Sequence, residues 1–200
     1  MAEMEPDEAA LAAQFEAENA AEIAAEKDKM FELTGATPDE VAPLMAPPPV
    51  AAPEAAKAPE RISPLQKISR LSVGERVKLA MLGNKEERAL LVRDGSRVVY
   101  AAVMASPKLT DQEVDTIASL KNVQEGVLRE IARNRKFIKR YTVVKNLVNN
   151  PRCPMDLSIN LIKNLLAPDL KGLSMNKGVP ENVRKMALRS FKEKTGKKGE

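Results

Sequence analysis

Residues 103–134 read VMASPKLTDQEVDTIASLKNVQEGVLREIARN. Thr110 stands three residues before Glu113, and Asn122 three before Glu125. Each pair fits a capping box, in which the first side chain accepts from an amide of the first turn and the acid reaches back to the cap residue's own N–H. Each therefore predicts a helix start followed by a short amphipathic run. Working outward, Ser72 with Glu75 and Asn84 with Glu87 repeat the pattern. Helix starts are predicted near Asn84, Ser96, Thr110, Asn122 and Asn134, in steps of 12, 14, 12 and 12 residues. Such steps allow helices of about two turns, well below the length at which an isolated helix persists in water. They must stack on one another, and two steps give a repeat of 24 to 26 residues, a period that signals a solenoid.

Self-comparison points the same way. At an offset of 44, Val103–Thr110 lies over Leu147–Pro154, matching a helix end, a polar residue, a proline and a cation, and Ile117 lies over Leu161. At an offset of 56, Val123, Glu125, Val127 and Ile131 meet Val179, Glu181, Val183 and Ala187. Only 3% of the chain is aromatic, with no Trp, so a core must be built from Leu, Ile, Val, Met and Ala. That composition disfavours a β-sandwich or barrel, which draws on aromatic and β-branched strands. The expected fold is all-α: a solenoid of short stacked helices, begun after Ser63–Pro64 by helices that cap its N-terminal end.

The segments VMASPKLTDQEVDTIA, LKNVQEGVLREIARN and LVNNPRCPMDLSINLI resemble the leucine-rich repeat variant and HEAT-like helical repeats of bacterial proteins. The resemblance runs from about Glu75 to Phe191 and implies a right-handed helical solenoid with a curved binding surface. The leucine-rich repeat variant prototype carries a cysteine-held iron–sulfur cluster, and a single Cys cannot supply its ligands.

The net charge of +4 conceals a segregation. Residues 1–60 hold 14 acidic and three basic side chains, against 14 acidic and 29 basic in residues 61–200. The first stretch is expected to be a flexible acidic arm, largely disordered. Within it Asp7 to Leu33 is rich in Ala and Glu, with Leu11, Phe15 and Ile23 at helical spacing, and could form one amphipathic helix against a partner or the basic half. Between Pro38 and Pro59, prolines mixed with alanine read as a semi-rigid linker. Residues 61–200 are expected to form the basic repeat domain.

The densest charge feature is Arg133-Asn-Arg-Lys-Phe-Ile-Lys-Arg-Tyr141, five cations in nine residues at a predicted helix junction. Arg135, Lys139 and Arg140 fall at helical spacing, while Phe137, Ile138 and Tyr141 can turn to the core. With Lys136, and with Arg129 and Lys145 as extensions, these residues form the candidate binding site for phosphate or carboxylate groups. The competing reading is a solvated face.

Catalysis is not expected. The chain has no His, the commonest acid–base residue, and its one thiol, Cys153, lies between Pro151 and Pro154 as a small buried hydrophobe. One Cys and no His cannot build a usual zinc site, and no cofactor or metal is expected. Asp111, Glu113 and Asp115 are explained as a cap partner and as charges that complement a helix dipole. No phosphate-binding glycine loop occurs. The run Lys192–Lys198 reads as a frayed tail. No signal-peptide core or membrane span is legible, so cytoplasmic location without membrane insertion is expected. The expected function is interaction or scaffolding, with the basic surface holding an acidic macromolecule, most readily a protein. The alternatives are nucleic-acid binding through the same surface and intramolecular contact with the acidic arm.

Overall fold

The computed structural model describes residues 8–35 and 63–196. These residues are all-α, with 13 helices and no strand. The chain divides into two compact units, Met1–Lys108 and Leu109–Glu200, where the sequence suggested an arm to residue 60 and one repeat domain beyond it. The proline-rich linker, most of the first eight residues and the final Lys197–Lys198 of the basic run lie outside the described residues.

In the first unit the helices are α1 (Glu8–Glu18), α2 (Ala20–Ala25), α3 (Pro64–Ser69), α4 (Val73–Leu82), α5 (Lys85–Leu91) and α6 (Arg97–Ala105). The starts follow the capping logic. Ser63 caps α3 through Gln66 N–H at 3.3 Å, with Pro64 in the first turn, where a missing N–H costs nothing. Ser72 and Glu75 close a reciprocal box on α4, and the Glu87 carboxylate accepts from Asn84 N–H at 2.8 Å before α5. Helix α4 packs against α6, and α3 against α5. Val73, Val77, Ala80, Leu91, Val99 and Val103 are fully enclosed, and sealing each large aliphatic side chain contributes about 1.5–3 kcal/mol.

In the second unit they are α7 (Asp111–Ser119), α8 (Glu125–Arg133), α9 (Arg135–Ile138), α10 (Tyr141–Asn149), α11 (Met155–Ile162), α12 (Ala167–Met175) and α13 (Glu181–Gly196). Helix α10 packs against both α7 and α12, and α11 against α13. The starts of α7 and α8, of α10 and α11, and of α12 and α13 are each 14 residues apart (111 to 125, 141 to 155, 167 to 181). The offset of 56 joins α8 to α13, and its apolar matches Val123, Val127, Ile131, Val179, Val183 and Ala187 are all buried. Cys153 precedes α11 as Val123 precedes α8, and it too is buried. Burial raises its thiol pKa, which keeps the sulfur protonated and inert.

The offset of 44 has a structural cause as well. Ser106, at the end of α6, donates from its hydroxyl to the Met81 carbonyl at 2.8 Å. Asn150, at the end of α10, donates to the Ala118 and Leu120 carbonyls at 2.9 and 2.8 Å. Both are buried polar residues followed by proline. Each satisfies orphan carbonyls at the end of a helix that lies earlier in the chain. At the end of α12 the contact is of another kind, Asn176 donating to the Asn149 side chain at 3.0 Å.

Two local expectations are corrected. Helix α8 is entered through Gln124, not Asn122, because residues 121–123 form a turn that brings Val123 into the core before the helix begins. Lys192 to Gly196 continue α13 rather than fraying: Lys194 donates to the Lys163 and Leu165 carbonyls at 2.9 and 2.7 Å, which ties the last turn to the end of α11.

Candidate functional site

The seven candidate cations all lie in the second unit, and the structure sorts them into two groups. Arg129, on α8, donates to Glu125 at 2.7 Å and to Asp156 at 3.0 Å. Arg133 pairs with Glu130 at 3.0 Å, and Lys145, on α10, with Asp169 at 2.9 Å. Arg140 is half-buried and bridges Asp111 at 2.9 Å and Asp115 at 2.7 Å. Arg140 does not share a helical face with Arg135, as the spacing suggested: α9 stops at Ile138, and the turn through Lys139 swings Arg140 back onto α7. Thr142 also donates to Asp115, at 2.8 Å, and Asn146 to its carbonyl at 3.1 Å. Arg129, Arg140 and Lys145 tie helices to their neighbours, Arg133 pairs within α8, and the charge of all four is answered by carboxylates of the unit.

Arg135, Lys136 and Lys139 differ. All three are exposed, and their side chains make no ion pair or hydrogen bond among the described residues. The Asn134 side chain caps α9 by accepting from Lys136 N–H at 3.0 Å, which fixes the turn that carries them. Phe137, between them, is buried, so it anchors the corner and offers no face for stacking a base. At four residues α9 is too short for a helix dipole to add to the field. The anion-attracting feature is three uncompensated cations on a fixed corner.

Tyr141, expected in the core, is half-buried instead. Its hydroxyl donates to the Asp169 carboxylate and accepts from Leu166 N–H at 3.1 Å. The hydrogen bond from Tyr141, then that from Lys145, holds the Asp169 carboxyl below its ordinary pKa. In turn Asp169 raises that of Lys145.

A second set of charges was not legible as a site. In the first unit the acidic helices α1 and α2 meet basic residues far along the chain: Glu8 pairs with Lys108 at 2.8 Å, Glu22 with Arg97 at 3.1 Å and Glu16 approaches Lys78 at 3.7 Å. Below them residues 26–34 form a tighter clasp. Arg76, wholly buried, donates to Asp94 at 2.7 Å and to the Lys29 carbonyl at 2.5 Å, and its guanidinium lies 5.8 Å from the Phe31 ring centre. Thr34 N–H donates to the Arg93 carbonyl at 2.8 Å, Gly95 N–H to that of Glu32 at 2.9 Å, and Ser96 to the Glu26 carboxylate. Partial burial raises the Glu26 pKa, but hydrogen bonds from Ser96 and Lys29 outweigh it and leave the carboxyl below its ordinary value. Only the charge segregation hinted at this contact; the partners are separated by too much sequence for spacing to reveal them.

Among the described residues no group of three His, Cys, Asp or Glu side chains is placed to hold a metal ion, and no helix is long and apolar enough to cross a membrane. No protein-family model, no curated protein and no solved structure matches the chain.

Proposed function

We propose that the chain is a non-catalytic helical-repeat protein, of the leucine-rich repeat variant or HEAT-like kind, that binds an acidic macromolecular partner. The corner of Arg135, Lys136 and Lys139 is its contact. The observation that carries this reading is the sorting of the seven cations: four are neutralised by carboxylates, whereas three stand exposed without a counter-ion among the described residues. Uncompensated charge on a rigid corner costs self-repulsion, and an acidic partner relieves it. The regular 14-residue spacing of paired helix starts in the second unit supports the solenoid part of the reading. A protein partner is preferred to a single-stranded nucleic acid, because Phe137, the aromatic residue between the cations, is buried and offers no face for stacking bases. The partner assignment implies a cytoplasmic scaffold or adaptor.

The test compares the full chain with Arg135→Gln/Lys136→Gln/Lys139→Gln and with a control, Arg129→Gln/Arg133→Gln, using fluorescence anisotropy of a labelled poly-glutamate peptide and of a DNA duplex. The corner variant should lose affinity for the peptide by about tenfold and the control much less, a factor worth about 1.4 kcal/mol. Equal losses in both variants would refute the corner as the site. Tighter binding of the duplex, with affinity falling linearly in log salt, would move the assignment to nucleic acid.

A further inference from the structure

The contact between α1–α2 and the rest of the first unit is held unevenly. From Glu26 to Thr34 the chain is fastened by the buried Arg76, by backbone hydrogen bonds to Arg93 and Gly95, and by the Lys29 ammonium on the Gly95 carbonyl at 3.0 Å. From Glu8 to Ala25 the fastening is of another kind. Ala12 is the one buried residue of α1, and α2 has none. Leu11, Phe15 and Ile23 are only half-buried, and the long-range ion pairs seen among the described residues, Glu8–Lys108, Glu16–Lys78 and Glu22–Arg97, have both partners partly exposed; such pairs contribute little and weaken with salt. Beside α2 an open groove of about 420 Å³ runs between Ala20, Ile23 and Ala24 on one side and Gly74, Glu75 and Lys78 on the other. Gly74 has no side chain to fill it, and a methyl there would meet only Ile23, at 3.8 Å.

The surface under these helices therefore has two properties. It is basic in a defined pattern, with Lys78, Arg97 and Lys108 each facing a carboxylate one helix away. It is also bordered by an open groove that Ala20 and Ala24 line but, with their small side chains, leave unfilled. We propose that this face of α4 and α6 is a docking site for an acidic amphipathic helix of a partner protein, and that the chain's own α1 and α2 occupy it as a displaceable mask, released up to Ala25 and held from Glu26 onward. A competing helix with the same carboxylate spacing and leucine-sized side chains in place of Ala20 and Ala24 fills the groove and wins by burying more apolar area. The mask stays tethered through the Arg76 clasp, so it re-closes at high effective concentration when the partner leaves. This site uses none of the residues of the α8–α9 corner and stands or falls separately.

The experiment uses the full chain and a labelled peptide of residues 8–25 carrying Ala20→Leu and Ala24→Leu. Binding should tighten at least about tenfold when the mask is repelled by Glu8→Lys/Glu16→Lys/Glu22→Lys. It should be lost when Lys78→Glu/Arg97→Glu/Lys108→Glu is made instead. Because any of these exchanges could disturb folding, hydrogen exchange is read in parallel. Raising salt from about 20 mM to about 500 mM should speed amide exchange in residues 8–25 and leave residues 29–34 protected. Combining both charge reversals should restore protection of 8–25, a rescue that a merely misfolded variant would not give. The proposal is overturned if the peptide ignores the unmasked chain, if it binds the reversed basic triad equally well, or if residues 8–25 and 29–34 lose protection together.

Discussion

Arg76 and Asp94 are the sharpest place to test how the first unit is held together. Both side chains are essentially without solvent contact, 0% and 1% exposed, and they meet at 2.7 Å. Burial raises the Asp94 pKa, even though Ser96 N–H and Arg76 both favour the charged form. Both charges are sealed from water, and a buried pair of this kind adds little net stability but is costly to break. Asp94→Ala leaves a buried guanidinium with the Lys29 carbonyl as its remaining hydrogen-bond acceptor and the Phe31 ring beside it, and its Nε already lacks a partner. The expected loss is about 3–5 kcal/mol, a melting shift of at least about 10 °C for a unit of this size. Arg76→Met should cost as much and should also release residues 29–34 to fast amide exchange. Arg76→Met/Asp94→Leu together should cost far less than the sum, because neither charge is left alone in the core. Urea unfolding followed by far-UV circular dichroism gives the three values. Single losses below about 1 kcal/mol, or additive losses, would refute the claim that a sealed pair organises this unit. The pH dependence carries the same sign. The folded chain binds the Asp94 proton more readily than the unfolded chain, so this group's contribution to stability falls as pH rises from the ordinary carboxylate value to the raised one.

Gly83→Ala should destabilise by about 1–3 kcal/mol, since the added methyl would press on the Leu79 carbonyl and sit 2.6 Å from the Glu87 carboxylate; an unchanged urea midpoint would contradict that geometry. Ile131→Ala, at a fully buried position on α8, should cost about 2–5 kcal/mol in the same assay, and a loss under about 1 kcal/mol would show that the second unit is not packed around it. Asp169 behaves oppositely to Asp94: its carboxyl is held down by Tyr141 and Lys145, so its contribution is complete above the ordinary carboxylate range and disappears as pH falls through the lowered value. Carbon-detected NMR should find it titrating below the ordinary aspartate range, and Asp169→Asn should flatten the acid limb of the stability curve; titration at or above that range would overturn the hydrogen-bonded assignment.

Much of the local structure was written in the chain. The boxes at Ser72, Asn84 and Thr110 and the cap at Asn134 place helix starts where the structure has them, because a cap is satisfied within four residues and needs no tertiary information. The apolar positions that the 56-residue offset aligned are buried, because an apolar residue at helical spacing marks the covered face of its own helix. The candidate cations were legible as a cluster, but not which of them are free. Arg140 and Lys145 find their carboxylates 25 and 24 residues away in sequence, across a helix pair, and only packing decides that they do. Asn122 misled for a related reason: Val123 had to reach the core first, and burial outweighed a cap. The sequence by itself determined the helices, their short length and their aliphatic interior, all consequences of nearest-neighbour chemistry. Only the tertiary structure decided that residues 8–35 fold onto α4 and α6, that Arg76 is buried over them and that three cations are left facing solvent. Those outcomes depend on which distant charges meet, and spacing along a chain does not encode it.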